Sequence, residues 1–499
     1  MNTYGKGIFI SSSSAQLINN TSVSPITISA LGGTLFKTGK FDQTINLGEI
    51  SKLTTKSGLI FSSGNSATQS PQTQKITGSI DEIVIDVGSS AQRFGYGLNL
   101  TSQSHQGAVF SNVGGVQIFG DPNETSDGKI NKISILSSEK PGTSTNRGVV
   151  FLNYGEPLGT GNQQVYVSVG SIGEAGQRFG TAVLDVYGAY QYIHRIDEIY
   201  TINSGISAGT LATTSDGGPQ YVNSVGVIDV DNGDYSFSRP FGIFNWSDSG
   251  VEYEDSGIRH EGNQYVGLTE RINVVSRFQS REAVGLYNRG GEQVIEAKPD
   301  DKGFVVIDAM NTADGAAYSV LVSPIMDNQA AAEKSKNITT LKGNFTIDNG
   351  PLVARNKANG QLYASISSIC LLNSNFSGNT LNLGESNYIL IEKGDKDAEL
   401  GKSTTYLTIG DDRLEGDPGY RVNLHRNSFI NVQGSLRGRG IIAVHFDKEA
   451  FDRAKANDVA LPGENGSVTW DFQGKGYGVV SGGVLMKRRS RVIIHIWMW

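Results

Sequence analysis

Short apolar runs, rather than long amphipathic stripes, set the rhythm of this chain. Segments such as EIVIDV, VYVSV, VGVIDV, GFVVID, NYILI, TYLTI and GIIAVHF are rich in β-branched residues, mostly alternate apolar with polar positions, and end at Gly, Ser or Asn-Gly. A period of two sends alternate side chains to opposite faces of an extended backbone, so each run predicts a short β-strand. Two windows carry helical signals instead. Met326 to Asn337 offers Asp327 as a cap before an alanine run, and Asp447 to Asp458 offers Asp447 as a cap with Glu449 in the first turn. Neither is long enough to organise a core, so both are expected as short helical insertions in an all-β fold.

The strands come in recurring phrases. GLIFSS begins at Gly58, GAVFSN at Gly107 and GVVFLN at Gly148; between them stand IDEIVID from Ile80, INKISIL from Ile130 and IDEIYTI from Ile196. Gly58 and Gly107 are 49 residues apart and Ile80 and Ile130 are 50 apart, after which the spacing drifts to 41 and 66. A third echo joins them: VIDVGSSAQRFG ends at Gly95 and VSVGSIGEAGQRFG at Gly180, with Phe94 and Phe179 85 residues apart. Phrases recurring in fixed order point to duplication of a structural unit. The 22 or 23 residues between the two phrase types suggest coils of that length, with about two coils per repeat of a phrase. The expected fold is a right-handed parallel β-helix, or β-solenoid, in which each coil buries its alternate Val, Ile, Leu and Phe residues against the next. A sandwich or jelly roll would not require the ordered recurrence.

The vocabulary divides the chain. Residues 1–325 read as a repetitive β-solenoid and 326–340 as a short helical linker or insertion. Residues 341–485, with GNFTIDNG, YLTIGDD and SFINVQGSLRGRG, read as a second β-rich, solenoid-like region, and 486–499 as a basic and aromatic C-terminal strand.

Composition narrows the function classes. Charged residues are 18% of the 499, below the usual quarter or so, and the difference is taken up by Gly, Ser, Thr and Asn. The 63 glycines lack a three-residue period, which excludes collagen and implies many turns. The formal net charge of −7 and the lack of a basic stretch before the far C-terminus leave no electrostatic footprint for nucleic acid. The single cysteine, Cys370, reads as a small buried hydrophobe. The six histidines are scattered, so no zinc-ligand spacing arises. MNTYGKGIFISSSSAQ is not expected to act as a Sec signal peptide, and no apolar run reaches transmembrane length.

Three clusters carry candidate chemistry. Asp229, Asp231 and Asp234 surround Asn232-Gly233. Clustered carboxylates suit calcium, but the later carboxylates of a calcium loop are missing, and an Asn-Gly hairpin turn joining VGVIDV to DYSFS is the plainer reading. NWSDSGVEYEDSGIRH supplies Trp246, Glu252, Tyr253, Glu254, Asp255 and His260. A glycosidase needs two carboxylates across a bond, and alternation puts Glu252 and Glu254 on one face, yet such clusters are usually the solvated side of a strand. GDDRLEGDPG, Gly410 to Gly419, reads in the same way, with Pro418-Gly419 as a turn. No catalytic, cofactor-binding or metal-ligating residue is therefore assigned. At the C-terminus Lys487, Arg488, Arg489 and Arg491 precede VIIHIWMW, with Trp497 and Trp499 at its end. This segment suits an edge strand for oligomerisation, a membrane contact, or a strand docked on the last coil.

The stretch ARNKANGQLYASISSICLLNSNFSGNTLNLG carries Phe376-Ser377-Gly378-Asn379 as a Phe-x-x-Asn element, with GQLYASI from Gly360 where a Gly-Gly-Ala element would stand. It resembles the repeats of chlamydial-type polymorphic outer-membrane proteins and related autotransporter passengers, and departs from them in lacking the patterns of a signal peptide and a translocator barrel. The resemblance implies a cell-surface β-helix passenger domain used for adhesion or display. The reading is thus a non-enzymatic, adhesin-like or structural protein, extracellular or on a virion, without cofactors. Its expected partners are a cell-surface glycan or protein and further copies of the chain, joined through solenoid ends or the C-terminal strand; membrane contact is confined to the C-terminus. Two alternatives stay open: a carbohydrate-degrading β-helix such as a phage tailspike depolymerase, and a self-assembling filament or shell protein.

Overall fold

The computed structural model describes residues 2–3, 7–11, 14–30, 34–38, 41–56, 59–63, 72–87, 108–123, 128–137, 148–154, 161–186, 190–211, 220–235, 239–248, 263–289, 291–299, 305–313, 317–322, 337–342 and 345–348, and from 366 to 486 the backbones of the strands. Among the described residues the fold is all-β, without helix, and built on extensive parallel strand pairing. The expected helical windows, 326–337 and 447–458, lie outside the described residues except for Asn337, which opens the strand Asn337–Lys342.

The chain divides into two compact units, Met1–Ser238 with Tyr253–Val266, and Arg239–Glu252 with Gly267–Trp499. In the first unit three series of strands recur in the same order. The first series is formed by Gln16–Asn19, Val116–Phe119 and the opening halves of Gln43–Lys56, Thr73–Val87, Asn162–Ile172, Tyr190–Leu211 and Gln220–Asp231. The second holds Ile26–Ala30, Lys129–Ser137 and the later parts of the long strands. The third runs through Gly7–Ser11, Thr34–Thr38, Leu59–Ser63, Ala108–Val113, Val149–Tyr154, Phe179–Val186 and the final part of Tyr190–Leu211. Each strand pairs in parallel with the member of its own series one repeat earlier and one repeat later. Register is tight because a one-residue slip would turn every buried side chain outward.

The phrases mark series. Ile80 and Ile83, Ile130 and Ile133, and Ile196 and Ile199 all point inward from the second series and are fully buried. The phenylalanines of GLIFSS, GAVFSN and GVVFLN belong to the third: Phe36, Phe61, Phe110 and Phe151 stack in file, with ring centroids 5.1, 5.0 and 5.0 Å apart and interplanar angles of 9°, 10° and 13°. Here the structure corrects the expected coil count. Phe61 pairs directly with Phe110 although 49 residues separate them, so successive phrases stand on adjacent rungs and not two coils apart. Varying numbers of residues between strands, rather than an extra coil, account for the drift. Alternation also fails in this series, since Val149–Tyr154 is buried on both faces.

Where the first series passes into the second, the long strands bend at glycine. Gly48 and Gly78 have φ of +60° and +112°, and a Cβ on Gly78 would stand 2.5 Å from Gly48 O. Both the backbone conformation and the close approach of successive bends require glycine there.

The second unit repeats the arrangement. Gly291–Ala297, Asn337–Lys342, Thr380–Leu383 and Arg421–Leu424 pair in one series. The later part of Asn263–Ser276 and then Val305–Asn311, Phe345–Asp348, Tyr388–Glu392, Phe429–Gln433 and Trp470–Gln473 form another. Phe241–Asp248, Ala283–Arg289, Ala317–Val322, Ile366–Leu371, Thr405–Ile409, Ile441–His445 and Tyr477–Ser481 form the third. Val484–Met486 adds to the last of these in antiparallel sense.

Candidate functional site

The first series opens each time on Gln, any residue, then an apolar residue: QLI, QTI, QKI, QIF, QQV, QYI, QYV and QYV. Alternation sends the glutamine and the apolar residue inward and the middle residue outward. Eight glutamines of the first unit, Gln16, Gln43, Gln74, Gln117, Gln163, Gln191, Gln220 and Gln264, join in one ladder. From Gln43 onward each Nε2 donates to Oε1 of the preceding glutamine at 2.7–2.9 Å. Several use their second N–H on the backbone of the third series: Gln163 reaches Leu152 O at 3.1 Å and Gln220 reaches Ser207 O at 2.8 Å. A buried primary amide is costly when unpaired, and in-register stacking supplies its partners.

A second polar ladder closes the third series. Ser63 Oγ donates to Asn112 Oδ1 at 2.6 Å, Asn112 Nδ2 to Asn153 Oδ1 at 2.8 Å, and Asn153 Nδ2 to Asp185 Oδ1 at 3.1 Å. Asn112 also donates to Gly115 O at 2.8 Å and Asn153 to Tyr190 O at 2.9 Å, which pins the end of one strand to the start of the next series. The closing Asn of GAVFSN and GVVFLN is thereby explained.

The outward side of the first series is where the protein meets solvent in an organised way. In register stand Gln164, Tyr192 and Tyr221, followed by Tyr265. Tyr192 and Tyr221 have ring centroids 5.6 Å apart at 11°, and Tyr221 and Tyr265 are 4.3 Å apart at 6°. Tyr166 leans on Tyr192 at 5.1 Å and 39°. The four rings are half-buried. The second outward row adds His194 and Asn223 beside them. Tyr166 donates its hydroxyl to Gln164 Oε1, and Gln164 Nε2 donates to Asn162 Oδ1 at 2.7 Å. Among the described residues the Tyr192 and Tyr221 hydroxyls have no hydrogen-bond partner.

These two outward rows, from Gln164 to Tyr265, carry no carboxylate and no lysine or arginine. Charges lie at the margins: Asp121, and Arg195 with its partner Asp197 at 2.7 Å. Burial, then Tyr190 and Asp121, holds the Tyr166 phenol above its ordinary value; burial and then neighbouring tyrosines do the same for Tyr190 and Tyr192. Burial and then Arg195 push His194 down, favouring the neutral ring, whose Nδ1 is buried without a partner. The face is one of neutral hydroxyls, amides and aromatic edges.

The clusters singled out from sequence fare differently. Asp229 pairs with Arg178 of the second QRFG, Nη1 to Oδ1 at 2.7 Å, with the two side chains 15% and 14% exposed. The same Nη1 donates to Asp229 O at 2.8 Å, and the guanidinium lies 5.6 Å from the Tyr200 ring centroid. Asp231 Oδ1 accepts from Gly233 N at 2.8 Å and Tyr235 N donates to Asn232 O at 2.8 Å, so the Asn-Gly turn is in place. It ends a strand paired in parallel with Tyr190–Leu211 rather than closing an antiparallel pair. Trp246 lies in the strand Phe241–Asp248; Glu252, Tyr253, Glu254, Asp255 and His260 lie outside the described residues. So do Gly410 to Gly419, Gly360, Phe376 to Asn379 and the C-terminal segment from Lys487 to Trp499. Cys370 sits in the strand Ile366–Leu371, across from Leu321 and Thr408.

Sequence reasoning missed the tyrosine face. Its signal is the triplet Gln-Tyr-aliphatic at Gln191, Gln220 and Gln264. No protein-family model, curated protein or solved structure matches the chain.

Proposed function

We propose that the recurring strand series wind as a right-handed β-solenoid, and that the protein is a non-enzymatic structural or display element at a cell or virion surface, adhesive through an outward face. The observation that carries this reading is the glutamine ladder. Eight interior amides are committed to one another along the first unit, so these side chains are spent on stacking strands rather than on chemistry. The phenylalanine file and the asparagine ladder run along the same axis and serve the same end. Stability then comes from neighbour-on-neighbour contacts, and an extended outer surface is left for display. Further copies of the chain, joined through solenoid ends or the C-terminal strand, fit an assembly role within the same reading.

The test has two parts. The purified full chain is incubated with capsular and cell-wall polysaccharides and the products are separated by size; the reading expects no oligosaccharides, and their release would replace it with a depolymerase. A cryo-electron-microscopy map is expected to show a right-handed winding, and two face-to-face sheets would overturn the solenoid.

A further inference from the structure

We infer that the outward tyrosine face of the first unit binds a neutral, linear polysaccharide, laid along the stack of strands with its axis across them. This rests on the adhesive display role proposed above and names its ligand class. Three observations point to it.

The first is charge. The two outward rows from Gln164 to Tyr265 offer phenols, amides and a histidine, with formal charge only at the margins. Such a face matches an uncharged, hydroxyl-rich partner and gives an anionic polymer nothing to pair with. The second is period. Tyr192, Tyr221 and Tyr265 repeat at the strand separation, about 4.8 Å, and stacking fixes their rings before any ligand arrives. An extended linear hexose polymer presents hydroxyls at a closely similar advance per sugar, so successive sugars meet successive rungs. Rings stacked on each other turn edges and hydroxyls outward, and the Tyr192 and Tyr221 hydroxyls have no partner among the described residues. The third is an end platform. Tyr166 follows Gly120 on the preceding rung, where a Cβ would meet Tyr166 Cβ at 3.2 Å. With no side chain at Gly120, no ring from that rung stacks on Tyr166 among the described residues, and a sugar ring can lie on it, with Asp121 at its margin, as sugars do on aromatic faces.

Affinity electrophoresis of the full chain through gels containing dextran, laminarin, xyloglucan or hydroxyethyl cellulose, with alginate as the anionic control, tests the inference. Retardation is expected in at least one neutral gel and not in alginate. The double variant Tyr192→Phe/Tyr221→Phe keeps the rings and removes the hydroxyls, and is expected to weaken retardation about tenfold, equivalent to roughly 1.4 kcal/mol. Lys75→Ser, on the same series but outside the tyrosine run, is expected to bind as the parent does. Circular dichroism of each variant reports the fold. Lack of retardation in every neutral gel, stronger retardation in alginate, or a double variant that binds like the parent would overturn the inference. The two readings separate cleanly. Retardation accompanied by oligosaccharide release sinks the non-enzymatic role and keeps this site; neither retardation nor release keeps the display role and removes the site.

Discussion

Gln220 donates from its side-chain Nε2 to Oε1 of Gln191 at 2.8 Å, with both side chains sealed from solvent. The relationship repeats rung by rung in one direction, so each interior amide both donates and accepts along the stack. A file of this kind behaves as a unit, because removing one member strands the groups on either side of it.

Gln191→Leu is therefore expected to cost more than the loss of one hydrogen bond. It removes the donor to Gln163 Oε1 and the acceptor of Gln220 Nε2, leaving two buried groups short of a partner. At about 1–3 kcal/mol for each, the loss should be about 2–6 kcal/mol in urea denaturation. Gln191→Glu adds a pH signature. Burial raises the folded carboxyl pKa above its unfolded value, so stability is present at low pH and lost as pH rises through the folded pKa. Denaturation midpoints should recover on acidification below about pH 5, where the protonated carboxyl again donates and accepts. A variant whose stability matches the parent at every pH would mean the ladder does not hold the interior.

Phe110 sits between Phe61 and Phe151 with both centroids 5.0 Å away, and it also meets Phe119 at 5.5 Å. Phe110→Ala should lower stability by about 3–5 kcal/mol through the cavity it leaves. Phe110→Leu fills much of that volume but breaks two stacking contacts, and should cost about 1–3 kcal/mol. Thermal unfolding followed by circular dichroism checks both the size and the order of the effects.

How far the sequence revealed this interior depends on the kind of side chain. Phe61, Phe110 and Phe151, and the Ile80/Ile83 and Ile130/Ile133 pairs, announce burial by being apolar, so their phrases were readable. The separation of those phrases was misleading, because residues inserted between strands lengthen the sequence without adding a rung; Phe36 and Phe61 are 25 apart, Phe61 and Phe110 are 49 apart, and both pairs touch. Glutamine carries the opposite bias. Alone it belongs at the surface, and it becomes an interior residue only when the next strand brings another glutamine into register. The tyrosine face was hidden for the same reason. Nothing in Gln-Tyr-Ile or Gln-Tyr-Val taken singly marks an outward stack, and residues 29 and 44 positions apart become neighbours only through pairing.

The Arg178–Asp229 pair replaces a calcium site with an ion pair that is largely withdrawn from water. Breaking such a pair from one side leaves a poorly solvated charge, so Arg178→Met should cost about 3–5 kcal/mol. The double variant Arg178→Met/Asp229→Leu should recover part of that loss. Addition of EDTA should leave the parent's melting temperature unchanged, since Asp229 is satisfied by a guanidinium and Asp231 by the amide of Gly233. A chelator-dependent drop in melting temperature would restore the calcium reading.

Alkaline pH should act through the tyrosine face. Tyr166, Tyr190 and Tyr192 titrate above the ordinary value when folded, because burial and neighbouring phenols oppose the phenolate. A group with a raised folded pKa gives stability that is intact below its unfolded pKa and is lost as pH rises through the folded one. Urea midpoints should thus hold below about pH 10 and fall above it. Tyr190→Phe/Tyr192→Phe should flatten that fall, and an unchanged slope would place the alkaline sensitivity elsewhere.

Two glycines separate crowding from freedom. On the outward side of the second series, Asn131 Nδ2 donates to Asp81 Oδ1 at 2.8 Å, and the rung above them is Gly170. A Cβ on Gly170 would lie 2.5 Å from Asn131 O, a backbone atom fixed by the parallel pairing of both strands. Gly226 meets Asp197 O in the same way further along. Neither contact can be relieved by turning a side chain, so Gly170→Ala must push two strands apart, at about 1–3 kcal/mol. Gly176, at the tip of the turn before Arg178, has no atom within 4 Å of the corresponding position. Gly176→Ala removes unfolded-state freedom without a clash and should be neutral or stabilising by up to about 1 kcal/mol. Side-by-side urea denaturation decides it: equal effects from the two substitutions would show that the strands do not pair as closely as Gly170 and Asn131 require.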